Sequence, residues 1–330
     1  MPAVAPPPTP VDPERRAALV EHARITIKHG SQSFSAASRL FDRVTRERAW
    51  LLYAWCRRCD DIADNQELGG ELGDQTDLDA RLALIRRLTA KAYAGEPADD
   101  PAFDALGVVA YECGLTPAMA EDVIAGFALD AEDWRPRTEA DMMRYCYHVA
   151  GAVGVMMAVV MGVDPSDTDT LDRANDLGLA FQLSNIARDI VEDDAAGRCY
   201  LPIEWLVEQD IEPGQHTKPH HRKELAAMAA RLVAIVEKHE AAARVGAERL
   251  PFRSRWAVLS AARIYGAIGR KVRSRGVDAW SNRTFVPRGE KAMHGARAFL
   301  SAAINREKRP PAPIDWGIGD FRPSTTALAG

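Results

Sequence analysis

Proline placement constrains this chain more than any other feature of its 330 residues. No proline occurs between Pro13 and Pro97, Pro165 and Pro202, Pro219 and Pro251, or Pro251 and Pro287. Proline removes a backbone donor and clashes with the preceding turn, so windows without it are free to be helical. These windows are rich in Ala, Leu, Arg and Glu, with apolar residues at three- and four-residue steps. Examples are Leu82, Ile85 and Leu88, then Leu225, Met228, Leu232, Ile235 and Val236. That is the period of an amphipathic helix, and β-branched runs alternating with period two are missing. An all-α chain is expected, with helices over 13–30, 35–41, 45–66, 77–94, 101–113, 117–130, 138–161, 168–194, 202–207, 220–248, 252–275 and 288–306. No repeat and no composition shift divides it, so one helical domain over 13–307 is the simplest reading. Segments 67–76 and 208–219 read as loops. The Pro-rich ends, 1–12 and 308–330, read as disordered tails.

Composition excludes several function classes. The net charge of -5 gives no basic footprint for nucleic acid. The eight histidines are scattered, without the short paired spacings of zinc ligands. Five cysteines are too few and too uneven for a secreted disulfide framework. Cys56 and Cys59 form a lone C-x-x-C that lacks the second pair of a zinc site and the βαβ context of a redox motif, so they read as packing residues. The first thirteen residues hold six prolines and no secretory leader pattern. The longest uncharged apolar stretch, Val149–Val163, falls short of the roughly 20 residues that span a bilayer. A cytoplasmic chain is expected, free or attached peripherally to the inner membrane face.

Two acidic runs carry the chemistry. In Asp60-Asp61-Ile62-Ala63-Asp64, helical spacing puts Asp60 and Asp64 on one face. Far along the chain, Asn185, Asp189 and Asp193 stand at i, i+4 and i+8, and Gln182 extends the row by a turn. Leu179, Leu183, Ile186 and Ile190 occupy the opposite face. Each run alone could be a solvated helix surface. Two such rows favour a cation between like charges, because stacked carboxylates repel. Oxygen donors without His or Cys select hard ions such as Mg²⁺, which shares its coordination with substrate phosphates. No G-x-x-x-x-G-K-[ST] loop occurs, so the implied chemistry is metal-clamped phosphate or diphosphate without a P-loop. Arg57, Arg188 and Arg198 adjoin the carboxylates, either as anion donors or as surface ion pairs. Tyr145 to Gly154 is rich in small residues, which suits an apolar cavity wall or close helix packing.

The wording of these segments resembles the squalene/phytoene synthase family. Tyr53-Ala54-Trp55-Cys56-Arg57-Arg58-Cys59-Asp60-Asp61-Ile62-Ala63-Asp64 is similar to its first aspartate-rich motif. Gly178 to Asp193, followed by Gly197-Arg198-Cys199-Tyr200-Leu201-Pro202, is similar to its second. Tyr145 to Gly154 resembles its tyrosine-bearing cavity motif, and Gly30-Ser31-Gln32-Ser33-Phe34 its N-terminal element. Gln32 stands where relatives commonly carry a lysine, so a lysine–phosphate contact is not expected there. The resemblance covers about residues 20 to 305 and implies an isoprenoid-synthase helical bundle around a central apolar cavity.

It also implies a transferase of carotenoid biosynthesis that joins two geranylgeranyl diphosphates, through prephytoene diphosphate, to phytoene. Asp60, Asp64, Asn185, Asp189 and Asp193 would hold Mg²⁺, or Mn²⁺ in its place. Arg57, Arg188, Arg198, Arg263 and Arg283 would meet diphosphate. Tyr145, Gln182, Tyr200 and Tyr265 would position the intermediate, with Ser31, Phe34, Tyr53, Ala150 and Gly154 also lining the substrate site. NADPH is not expected, because no dinucleotide fingerprint occurs and the Tyr-Ala-Trp-Cys-Arg wording is nearer the phytoene branch. The alternatives are a dehydrosqualene or squalene synthase acting on farnesyl diphosphate, and a non-catalytic helical relative. A hydrocarbon product implies peripheral membrane contact, expected near Arg270 to Arg275, and contact with upstream and downstream carotenoid enzymes.

Overall fold

The computed structural model describes residues 12–66, 77–131, 134–304 and 316–322, all helix, turn or loop with no strand among them. Residues 1–11 of the expected N-terminal tail, the expected loop 67–76 and most of the C-terminal tail lie outside the described residues. The described helices are grouped into two compact units, one from Met1–Ala131 with Met156–Asp167 and one from Glu132–Val155 with Thr168–Gly330. No composition shift marks this division, which falls inside an apolar helix, so the sequence offers only one helical domain.

The first unit contains α1 (Pro13–Gly30), α2 (Gln32–Ser38), α3 (Arg43–Ala63), α4 (Leu78–Ala94), α5 (Pro101–Cys113) and α6 (Pro117–Ala131). Proline opens three of them at the first turn, where its missing N–H has no helical partner to lose. Asp12, Asp42 and Asp100 cap α1, α3 and α5 through side-chain bonds to their first-turn amides. Helix α3 buries Ala49, Leu52, Trp55, Cys59 and Ile62 and packs on α1 and α5. Glu112 of α5 ties all three together by receiving Arg16 of α1 and Arg48 of α3. Cys59 sits in this core, and burial pushes its thiol well above the usual range, as a packing residue requires.

The chain continues through α7 (Glu139–Cys146), a π-helical turn Tyr147–Gly151 and α8 (Ala152–Val160). The sequence leads to one helix over 138–161; the structure interrupts it with the wider turn. Glu139–Val160 is the one run among the described residues long and apolar enough to cross a membrane, and 67% of its apolar window is buried within the protein.

The second unit is organised by α9 (Thr168–Ala195), with α10 (Ile203–Val207), α11 (Arg222–Ala247), α12 (Phe252–Arg275), α13 (Arg288–Ala303) and α14 (Ile318–Phe321). Helix α9 packs against α11, α12, α7 and the π turn. Its approach to the π turn is close enough that a Cβ on Gly178 would meet the Ala150 carbonyl oxygen at 2.5 Å and Gly151 Cα at 2.6 Å. Buried Asp176 bonds His239 of α11 through Nδ1 at 2.7 Å.

Residues 316–322 correct part of the expected disordered tail. Ile318 donates its N–H to Asp172 at 2.8 Å, Asn175 donates to the Trp316 carbonyl at 3.2 Å, and Phe321 stacks on Tyr147 at 4.8 Å. No helical period is visible there because α14 is a single turn. Its partners come from α9 and the π turn, far away in sequence.

Substituting Gly178 by Ala forces a backbone-to-backbone clash, so an overpacking cost of about 2–3 kcal/mol is expected in urea unfolding. Gly214, whose added Cβ meets nothing but whose φ is +83°, serves as the comparison for backbone strain alone.

Candidate functional site

The first acidic run closes α3. Asp60 and Asp61 lie in its last turn and Asp64 is its C-cap, at φ -84° and ψ -1°. The helix stops here because Asn65 adopts φ 50°, a left-handed conformation that asparagine tolerates better than most residues. Asp61 is buried, with 5% of its side chain exposed, whereas Asp60 is 39% exposed. Arg57 joins them, donating Nη1 to Asp60 at 2.8 Å and Nη2 to Asp61 at 2.7 Å. The guanidinium expected to meet an incoming anion is therefore engaged inside the acidic run, where it offsets like-charge repulsion. Gln66 donates to Asp64 at 3.2 Å.

Tyr53 lies seven residues before Asp60, on the same helix face. Its hydroxyl fills the space where Gly30 would carry a Cβ, at 2.5 Å, and its ring lies 5.6 Å from that of Phe34. The Ser31 hydroxyl accepts the Phe34 N–H at 3.2 Å and caps α2. Ser31, Phe34 and Tyr53 thus come together beside the acidic end of α3, with Ser31 committed to the cap.

The second run lies along α9 as its spacing predicts. Leu179, Leu183, Ile186 and Ile190 are buried, while Gln182, Asn185, Asp189 and Asp193 are half-buried. Asp189 receives Arg188 Nε at 2.7 Å together with its Nη2, and Arg283 Nη2 at 3.1 Å. Burial pushes the Asp193 carboxyl up to about 6, and the neighbouring charge of Asp189 adds to the shift. Arg198 is exposed, and its charge pulls the Asp193 carboxyl the other way. The helix ends beyond Asp193 with Gly197 at φ 77°.

Aromatic rings border this row. Tyr145 stacks between Trp134, at 5.3 Å, and Tyr200, at 4.8 Å, with interplanar angles of 22° and 20°. Tyr265 stacks on Phe181 at 4.1 Å. Arg263, two residues from Tyr265 and so on another face of α12, instead donates to Ser301 of α13 at 2.9 Å. Ala150 and Gly154 serve close packing: the Ala150 carbonyl abuts Gly178, and a Cβ on Gly154 would meet the Ala174 carbonyl at 2.7 Å. At these positions α9 backbone takes up space that the small residues leave.

Sequence reading missed Trp134, Phe181, His216 and Thr217. His216 is buried and lines a small cleft with Asp193, Arg198 and Tyr200, while Thr217 donates to Asp194 at 2.5 Å. Phe181 could have been found as the aromatic beside Gln182, whereas Trp134 stands far from Tyr145 in sequence. Nothing in the 213–218 loop signals its return to α9.

Among the described residues no three His, Cys, Asp or Glu side chains converge as a closed metal site. The carboxylates of Asp189 and Asp193 with the Asn185 amide are a hard, oxygen-only donor set on one helix face. Such a set fits a divalent ion that takes its remaining ligands from water and phosphate oxygens.

Comparison with known proteins points the same way. The sequence model of the squalene/phytoene synthase family matches residues 27–290. The chain is 46% identical over 275 residues to a phytoene synthase of Pseudescherichia vulneris, covering 83% of this chain and 88% of that protein. It is 44% identical over 299 residues to a 15-cis-phytoene synthase of Pantoea ananas, covering 89% and 96%. The crystal structure of a dehydrosqualene synthase in complex with ligand superposes with a TM-score of 0.76 at 26% identity, over 87% of this chain and 98% of that one.

The raised Asp193 carboxyl has a signed consequence for stability without metal. Its folded value of about 6 exceeds the usual 3.8, so the charged form disfavours the fold, and the penalty grows as pH rises between these values. In chelator, Asp193→Asn is expected to raise the melting temperature by about 2 °C at about pH 8 and to change it little at about pH 4. Thermal melts at the two pH values check this.

Proposed function

The chain belongs to the squalene/phytoene synthase family, and from that premise we propose that it joins two geranylgeranyl diphosphates head to head to give 15-cis-phytoene. One substrate loses diphosphate, and its allylic carbon alkylates the double bond of the other. Loss of a proton then closes the cyclopropane of prephytoene diphosphate. That intermediate loses its own diphosphate, rearranges and sheds a second proton. Two diphosphates and two protons leave for each phytoene formed, so the reaction consumes no reductant and NADPH has no role.

The observation that carries this reading is the half-buried row Asn185–Asp189–Asp193 with two arginines on its central carboxylate. Each acidic row, this one and that of Asp60 and Asp64 on α3, would hold Mg²⁺ or Mn²⁺. The bound ions supply neutralising charge to the departing diphosphate. Arg188 and Arg283 already lie on Asp189, within reach of any anion that arrives beside it. Exchanging their carboxylate partner for diphosphate presents charge-assisted donors where negative charge develops. Arg198, exposed beside Asp193, adds a third.

The ring faces of Tyr145 and Tyr200, with Gln182, would position the cationic intermediate, because an aromatic face attracts positive charge. Tyr265, stacked on Phe181, borders the same row. An apolar cavity in the bundle would keep water from the allylic cation, which water otherwise quenches to an alcohol. The hydrocarbon product suits release into a bilayer, so we place the chain in the cytoplasm, working peripherally on the inner membrane face.

Purified enzyme with Mg²⁺ is expected to convert geranylgeranyl diphosphate to phytoene without NADPH. Asp60→Asn and Asp189→Asn are each expected to lower turnover by at least about 100-fold while leaving the circular dichroism unchanged, since each removes a charge from a repelling face. Turnover of farnesyl diphosphate alone would sink the substrate assignment. Full activity in both variants would sink the assigned chemistry.

A further inference from the structure

Among the described residues, helix α13 carries an unpartnered apolar face. Gly289, Ala292, Met293, Ala296, Leu300 and Ala303 fall within one stripe at 100° per residue, and all are exposed. Leu300 is 61% exposed and the following Ile304 56%. Phe299 borders the stripe and extends it onto α12, meeting Phe252 at 5.5 Å and Trp256 at 5.2 Å. No charged residue interrupts the stripe. Water ordinarily faces the polar side of such a helix, and here it faces the apolar one.

The flank of this stripe is basic. Arg297 is exposed on it, next to Ser301, which receives Arg263 of α12. The charges acting on Arg263 are those of Arg244, Glu240, Arg297 and Arg270. Glu240 is itself buried and already bonded to Arg244 and Arg270, at 2.5 and 2.7 Å. Arg263 thus feels three other guanidinium groups and one carboxylate, a locally positive cluster in a chain whose net charge is -5. By contrast, Lys271 to Arg275 of the expected membrane stretch are largely paired with other groups of the protein. There Lys271 pairs with Glu290, Arg273 makes two bonds to Glu237, and Arg275 binds the Asn282 and Asp278 carbonyls.

We propose that α13, with the start of α12, is the surface by which this protein docks on an anionic bilayer. The exposed stripe enters the headgroup–acyl boundary and the arginine flank meets lipid phosphates. A helix with apolar bulk on one side and arginines beside it lies in the plane of such an interface. Charge complementarity favours the bilayer over a second copy of this chain, which would bring the same arginines to the contact. This deepens the bilayer association proposed above by naming its surface, and it places no catalytic residue there.

Flotation of the full chain on vesicles tests it, using phosphatidylcholine alone and with about a third phosphatidylglycerol, at low and high salt. The wild type is expected to float with the anionic vesicles, less so at high salt, and poorly with phosphatidylcholine. Leu300→Glu is expected to lower partitioning at least about tenfold. Arg297→Gln is expected to lower it about fivefold, and at low salt only. Both variants should keep wild-type turnover in detergent. A wild type that never floats overturns the association itself. Variants that float like the wild type overturn the surface while leaving the association. A wild-type dimer that Leu300→Glu splits would show that a second copy covers the stripe, and would overturn the proposal.

Discussion

Helix α9 must do two things that oppose each other. Its buried face, Leu179 to Ile190, holds the second unit together, while its other face carries two carboxylates one turn apart. Like charges at that spacing destabilise a helix, and partial burial increases the cost for Asp193. Packing holds the helix straight under this load: α11 and α12 lie along it, and Gly178 admits the π turn to backbone contact. The polar row is therefore a fixed feature of the core helix, and a cation or a proton must satisfy it.

The arginines fit into this picture as stand-ins. Arg57 neutralises Asp60 and Asp61, and Arg188 with Arg283 neutralises Asp189. Each guanidinium sits on a carboxylate proposed as, or adjoining, a metal ligand. Were a divalent ion to take the carboxylate, as proposed, the guanidinium beside it would be left as a charge-assisted donor to diphosphate.

Much of this was legible in sequence because it is periodic or local. The i, i+4, i+8 spacing of Asn185, Asp189 and Asp193 and the apolar face opposite follow from helical geometry alone, and the proline-free windows contain the long helices. What was not legible depends on contacts between distant segments. The Trp134–Tyr145–Tyr200 stack joins a loop, a helix and a second loop, and α14 is one turn ordered by partners nearly 150 positions away. The small residues at 150–154 were ambiguous because space for a substrate and space for a neighbouring backbone look the same in one sequence.

The central claim is that the α3 carboxylates and the α9 carboxylates are each needed for metal-dependent binding of diphosphate. Electron paramagnetic resonance of Mn²⁺ titrated into the full chain with inorganic diphosphate tests it most directly. Bound-ion signal is predicted in the wild type, with loss of the diphosphate-dependent fraction in Asp60→Asn and equally in Asp189→Asn. Retention of that fraction in either variant would contradict the claim, since one acidic row would then be holding the ion alone.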